Sequence, residues 1–198
     1  LNEDLSTKPS CHESYRYSYA VWMQPVLDRL AYSRSYYQLQ KDVDGEMYRV
    51  YQKLIATRFF ENTIVIFTSD HGDLLGAHGD MHQKWYQCYE EALHVPLIIS
   101  NPTMHPTPSS VDTVTSHVDL LPTLLGLAGF DSEALRPTLT ADHTDAVPLV
   151  GRNLAGLVRG TVDPATVDDP IFFMTNDDPS RGLDQDNFTG ISYASVVQ

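Results

Sequence analysis

Cysteine is scarce in this sequence. Cys11 and Cys88 are the two present in 198 residues, too few for a disulfide framework or a thiolate metal site, so free thiols are expected and a reducing compartment is permitted. Positive charge is short as well. Thirteen Lys and Arg against 26 Asp and Glu leave a formal net charge of −13. That field opposes nucleic acid and anionic membrane surfaces, and an anionic substrate would need local positive charge or a bound cation to offset it. No apolar run approaches the roughly 20 residues of a membrane-spanning helix. The opening LNEDLSTKPS lacks the basic and apolar parts of a secretion signal. No membrane insertion is expected, and a soluble chain fits the cytoplasm, the periplasm or the exterior equally. The sequon Asn187-Phe188-Thr189 carries no weight without such a signal. Repeats and low-complexity tracts are also missing. What the chain does have is 42% hydrophobic residues, enough for a core, and the length of one domain or somewhat more.

In chain order, residues 1–14 are polar with Pro9 and read as a loop entered from something upstream. The chain does not begin with Met, so a missing N-terminal portion is expected. Residues 15–37 are rich in tyrosine, with Trp22 and Pro25 among them, and read as irregular, with a helix from about Ala31. Residues 1–34 are accordingly taken as an entry segment and 35–198 as the body of the domain. Residues 42–60 show helical spacing. Val43, Met47, Val50, Tyr51 and Leu54 share a face, Asp42 or Asp44 favours the start, and Lys53 and Arg58 lie near the end. After three prolines in residues 101–108 comes a short β-branched segment, 111–117. Asp119 then caps a helix over 120–128, with Pro122 in its first turn and Gly129 as its stop. Residues 131–148 read as a solvated loop whose Asp142, His143 and Asp145 have metal-ligand chemistry without the context for it. A short helix is expected over 152–159, a strand over 171–175, a turn over 176–179 and the start of a strand over 191–196.

The most informative stretch is 62–100. Residues 63–69 form a nearly unbroken β-branched and aromatic run, as a strand buried on both faces requires. It stops at Asp70-His71-Gly72-Asp73, and open α/β sheets bind ligands beyond the carboxyl ends of their strands. Residues 95–99 read as the next strand. The polar, His-rich connection between them, about two dozen residues, is longer than a compact domain ordinarily uses. Asp70 offers a hard oxygen and His71 an imidazole nitrogen. The carboxylate suits Ca²⁺ or Mg²⁺ and the imidazole softer divalent metals, and two ligands cannot fill a shell. The plain alternative is a strand-terminal Asp capping a turn. Lys84, fourteen positions after Asp70, has the charge to hold a tetrahedral anion, against the alternative of an ordinary solvated lysine. His78 and His82 are four apart, but Gly76 and Gly79 argue for a loop rather than a zinc-binding helix face. Glu90 and Glu91 could serve as acid and base, though capping or surface roles suit them better.

Taken in order, TIVIFTSDHGDLLGAHG and QKWYQCYEEALHVPLII resemble the sulfatase family of the alkaline-phosphatase-like superfamily. Asp44, the segment from Ser116 through Val118-Asp119-Leu120-Leu121-Pro122-Thr123 to Leu125, Gly151-Arg152-Asn153-Leu154, and Phe173-Met174-Thr175 with Asn176-Asp177-Asp178 are similar to further landmarks, so the likeness runs over roughly residues 35–198. The resemblance implies an α/β fold, part of a sandwich with a mostly parallel central sheet flanked by helices. It implies that Asp70 and His71 are metal ligands, usually for calcium, with Mg²⁺ or Mn²⁺ as alternatives. It further implies that Lys84 is a catalytic and substrate-binding residue contacting the sulfate or the leaving-group oxygen.

The reaction implied is hydrolysis of a sulfate ester, on a small molecule or a glycan, by a formylglycine made from the Cys or Ser of a Cys/Ser-x-Pro-x-Arg motif. That motif does not occur in these 198 residues. Cys11 and Ser10 are followed by the wrong residues, the family's Asp-Asp metal pair is absent, and His12 has no assignable counterpart. The chain is therefore expected to be the C-terminal portion of a longer enzyme, without the first strands, inactive alone and partnered by the missing N-terminal part. A phosphodiesterase or phosphonate monoester hydrolase of the same superfamily, and a non-catalytic fragment or pseudoenzyme, are the competing readings.

Overall fold

A computed structural model describes residues 3–10, 29–81, 84, 88–175 and 195–197. Cys11, His12, the tyrosine-rich stretch as far as residue 28, His82, the expected turn at 176–179 and the sequon at Asn187 lie outside the described residues. The chain divides into two units, Leu1–Ile99 with Phe173–Gln198, and Ser100–Phe172.

In the first unit, helix α1 runs unbroken over Arg29–Ile55. The helix expected from about Ala31 is present, and it runs on without a break into the one expected from Asp42, so no boundary exists near that residue. Nor does the helix reach Phe60, since a separate 3₁₀ turn occupies Phe60–Asn62. The apolar face is present but open, with Val43, Met47 and Val50 exposed and Tyr51 and Leu54 half-buried. Strand β1, Val65–Thr68, pairs in a two-stranded sheet with β2, Leu97–Ser100. Its residues are half-buried, apart from exposed Phe67. Just before β2 stands a single helical turn, α2, Glu90–Leu93. Strands β3, Phe173–Thr175, and β4, Ser195–Val197, pair antiparallel with Met174 opposite Val196. Among the described residues of this unit, Leu5, Leu74, Met81 and Ala92 are buried together, with Tyr89 packed against them.

The second unit is helical. Residues 111–116 belong to no strand, contrary to their β-branched composition. Ser116 and Asp119 form a reciprocal capping box over a 3₁₀ turn, His117–Asp119, which leads straight into α3, Leu120–Leu127. Gly129, at φ +85°, ends α3 as expected, letting Phe130 N–H return to the Leu125 carbonyl. The expected loop at 131–148 is instead mostly helix α4, Ser132–Asp142. Asp131 caps it by accepting from the N–H groups of Glu133 and Ala134, and an Arg136–Glu133 pair at 2.6 Å ties the first two turns. These offset Pro137, which removes one helical hydrogen bond. Helix α5, Ala155–Val158, packs on α3. Leu154 N–H donates to Thr123 Oγ1 at 2.9 Å, and Arg159 Nη2 donates to the Gly126 and Leu127 carbonyls at the end of α3.

Candidate active site

Beyond β1 the backbone turns sharply, and local hydrogen bonds shape the turn. Ser69 Oγ donates to the His71 carbonyl at 2.8 Å, the His71 N–H to Asp70 Oδ1 at 2.9 Å, and the Leu75 N–H to Asp73 Oδ1 at 2.8 Å. Gly72 is fixed from outside the turn. Its N–H donates to the Ala92 carbonyl at 2.9 Å, and a Cβ there would fall 1.9 Å from the Glu91 carbonyl oxygen. Only glycine admits so close an approach, which is why the residue after His71 carries no side chain.

The turn overrides the opposite facing of strand neighbours and brings Asp70 and His71 together. His71 Nδ1 lies 3.0 Å from the Gly72 carbonyl, which can only accept, so Nδ1 carries a hydrogen. Nε2 lies 3.3 Å from Asp70 Oδ2, so this edge is satisfied either by a hydrogen on Nε2 or by a cation between the two atoms. The His71 backbone N–H holds the Asp70 carboxyl below its ordinary value of 3.8, with the His71 ring and Ser69 hydroxyl assisting. The pair is open to solvent, Asp70 most of all. An anionic oxygen and an imidazole nitrogen converging on one point have the donor chemistry of two ligands to a divalent cation. Among the described residues no group of three or more His, Cys, Asp or Glu could hold a metal by itself. Asp142, His143 and Asp145 form no such group, and His143 Nδ1 lies against the Leu139 carbonyl instead.

Lys84 lies on the same connection as a half-buried side chain, on the stretch between Met81 and α2. Before it the loop coils through left-handed residues. Leu75 (φ 48°), Gly76 (86°), His78 (51°) and Gly79 (79°) all have positive φ, and the short helical segment Ala77–Asp80 is broken by them. This bears out the loop expected from Gly76 and Gly79, and each non-glycine residue there costs about 1–2 kcal/mol.

His82 lies outside the described residues, and His78 is held on both sides of its ring. Nδ1 meets Glu3 Oε2 at 2.6 Å, Nε2 meets Glu91 Oε2 at 3.0 Å, and its ring stacks on Tyr89 with centroids 3.6 Å apart. Glu90 pairs with His94 at 3.2 Å. Neither glutamate is thereby marked as an acid or base, in line with the surface roles expected. Glu3 was missed by sequence reasoning: it lies 75 positions from His78, and no local pattern signals such a pair. Burial and the Asp73 charge raise the Tyr32 phenol, which places α1 near this loop.

The Sulfatase family model matches residues 4–130. This chain belongs to the sulfatase family. It is 36% identical over 140 residues to the uncharacterized sulfatase YidJ of Escherichia coli (68% of this chain, 26% of that protein). To the choline-sulfatase of Rhizobium meliloti it is 34% identical over 119 residues (59% and 22%). To the arylsulfatase K of Xenopus laevis it is 37% identical over 130 residues (63% and 23%). The chain thus spans about a quarter of the length of these relatives. Family membership carries an alkaline-phosphatase-like α/β fold, with which helices and small sheets agree. Among the described residues no helix is long and apolar enough to cross a membrane.

Proposed function

We propose that this chain supplies the metal-and-anion half of a sulfuric ester hydrolase acting on a sulfate-ester small molecule or glycan. The observation that carries the reading is the convergence of His71 Nε2 and Asp70 Oδ2, 3.3 Å apart with the other ring nitrogen committed to Gly72. In this reading Asp70 and His71 are two ligands of a divalent cation, Ca²⁺ before Mg²⁺ or Mn²⁺. Bound there, the cation supplies positive charge against the negative charge that develops as the ester breaks. Lys84 serves as the cationic arm on the sulfate or leaving-group oxygen, which a net charge of −13 makes necessary. The nucleophile is a formylglycine contributed from outside these 198 residues, and the open apolar faces of α1, β1 and β2 are where the remainder of a parallel-sheet sandwich packs. In support, the relatives are about four times longer than the stretch they share with this chain.

Calcium titration of the chain followed by calorimetry tests the metal reading. Binding that is lost in Asp70→Asn and His71→Ala supports it, and equal binding by both variants removes it. The coding sequence ahead of Leu1 decides the chemistry. A Cys/Ser-x-Pro-x-Arg motif there supports a sulfatase, a different nucleophile favours a phosphodiesterase or phosphonate monoester hydrolase, and no nucleophile favours a non-catalytic chain. Alone, the 198-residue chain is expected not to turn over 4-nitrophenyl sulfate, and measurable hydrolysis would overturn the half-site reading.

A further inference from the structure

We propose that His78 is a doubly protonated clasp, fastening the Glu3–Leu5 segment and the Tyr89–Ala92 turn onto the loop that leaves Asp70 and His71, and that it loosens as pH rises. Both ring nitrogens face carboxylate oxygens, Glu3 Oε2 at 2.6 Å and Glu91 Oε2 at 3.0 Å. An ionised carboxylate only accepts, so both nitrogens are satisfied only when both carry hydrogen. A neutral ring would set one lone pair against a carboxylate. Among the described residues, the titratable groups that face the ring are Glu3 from the N-terminal segment and Glu91 and Tyr89 from α2 and its cap; Tyr89 stacks beneath it. Burial of the ring works against its charge, but the bonds to Glu91 and Glu3 outweigh that and raise His78 above 6.5. His78 in turn holds the Glu91 carboxyl below its ordinary value.

What the clasp secures is visible in the backbone. The Glu91 carbonyl lies where a Cβ of Gly72 would go, and the Gly72 N–H bonds to the Ala92 carbonyl. Glu91 therefore links His78 to the residue next to His71. On the other side, Leu5 is buried with Leu74, Met81 and Ala92, so Glu3 is presented by an anchored segment. His78 itself has a left-handed backbone, which pairing on both sides holds in place. A ring whose folded pKa is raised contributes stability that is complete below about pH 6.5 and is lost as pH climbs through the raised value. His78 is thus a positioning residue. Its effect on the metal edge rests on the reading of Asp70 and His71 as ligands, whereas the clasp does not.

The experiment is NMR on the 198-residue chain with ¹⁵N-labelled histidine, His78 being assigned by its loss in His78→Gln. The expected result is a midpoint above 6.5 with both nitrogens protonated at pH 6, lowered in Glu3→Gln and in Glu91→Gln. Hydrogen exchange, corrected for intrinsic rate, should show Gly72 amide protection falling about tenfold between pH 6 and pH 8, and already low at both in His78→Gln. A His78 midpoint at or below 6.5 overturns the clasp. So does Gly72 protection equal at the two pH values, and both measurements need only the unmodified chain. A calcium titration on the same sample separates the two readings, since absent binding with these signals intact removes the metal edge and leaves the clasp supported.

Discussion

Asp119 and Arg152 hold each other across 33 positions of the second unit. Arg152 Nη2 donates to Asp119 Oδ2 at 2.7 Å, and the Arg152 backbone N–H donates to Asp119 Oδ1 at 2.7 Å. Asp119, 4% exposed, also accepts from the Ser116 N–H, and Arg152 Nη2 reaches the Val114 carbonyl. One carboxylate thus closes the cap of α3 and seats the Gly151–Leu154 segment against it. Gly151 is part of the same fit, since a Cβ there would fall 1.8 Å from the Val118 carbonyl oxygen.

Removing one partner of a buried pair leaves the other charge uncompensated, so Asp119→Ala should cost about 3 kcal/mol of unfolding free energy. The pH dependence has a definite sign. Burial works to raise the Asp119 carboxyl, but the Arg152 side chain and the Arg152 and Ser116 N–H groups together leave it below 3.8. A depressed carboxylate contributes stability above its unfolded pKa and loses it as pH falls through the folded value. Urea unfolding of wild type and Asp119→Asn should therefore differ most at pH 6–7 and converge as the pH falls below 3.8 and through the folded value. A gap that stays constant across that range would exclude the ion pair as its source.

Two glycines make opposite predictions. Gly72→Ala drives a methyl group into the Glu91 carbonyl, and overpacking of this kind costs about 1–3 kcal/mol. Gly45, inside α1, has nothing within 4 Å of a built Cβ, so Gly45→Ala should stabilise by about 0.5–1 kcal/mol. Thermal melts of the two variants side by side check both signs. In the proposed site, Gly72→Ala should also weaken calcium binding, because His71 is the preceding residue.

How much was legible in the sequence follows the range of the interactions. The stop at Gly129 and the helix start at Leu120 are set by neighbours within a few residues and fall where the pattern put them. Asp119, however, caps through a box with Ser116 rather than by bonding the first turn of α3, and β1 ends at Thr68, one residue short of the expected run. Helix α4 was hidden because Pro137 and four polar β-branched or acidic residues masked its period, although Asp131 with Glu133 was a readable start. The α1 boundary failed for the converse reason, since a favourable Asp at 42 or 44 signals a start without excluding a helix already under way. At the candidate site the residue types of Asp70 and His71 and the turn at the strand's end were legible, and the hydrogen bonds that shape that turn were not. The loop around His78 was legible but its partners were not, as Glu3 and Glu91 are distant in sequence and mean nothing until the chain folds.

In the first unit the loop after β1 is anchored through a buried apolar cluster. Leu74 is 2% exposed and Met81 1%, and both lie on the loop between β1 and β2 with Leu5 and Ala92. Leu74→Ala should cost about 2–5 kcal/mol through lost burial and the cavity left behind. Fluorescence-monitored urea unfolding measures it. A loss under 1 kcal/mol would mean that this cluster does not hold the loop.

The role proposed for Lys84 separates from that of the metal ligands by what each variant loses. An ammonium acts on a tetrahedral anion as a point charge, and guanidinium has a different shape and reach. Lys84→Ala should lower affinity for inorganic sulfate, in saturating calcium, by about tenfold or more, the scale of one charge-assisted hydrogen bond. Lys84→Arg should recover part of it. Calcium affinity without sulfate should stay within about twofold in both variants, because no lysine side chain ligates the cation. Asp70→Asn should show the reverse order, losing calcium first and sulfate only as a consequence. Calorimetric titrations of each ligand in the presence and absence of the other resolve the two patterns. Equal losses of both ligands in Lys84→Ala would assign this side chain to holding the loop rather than the anion.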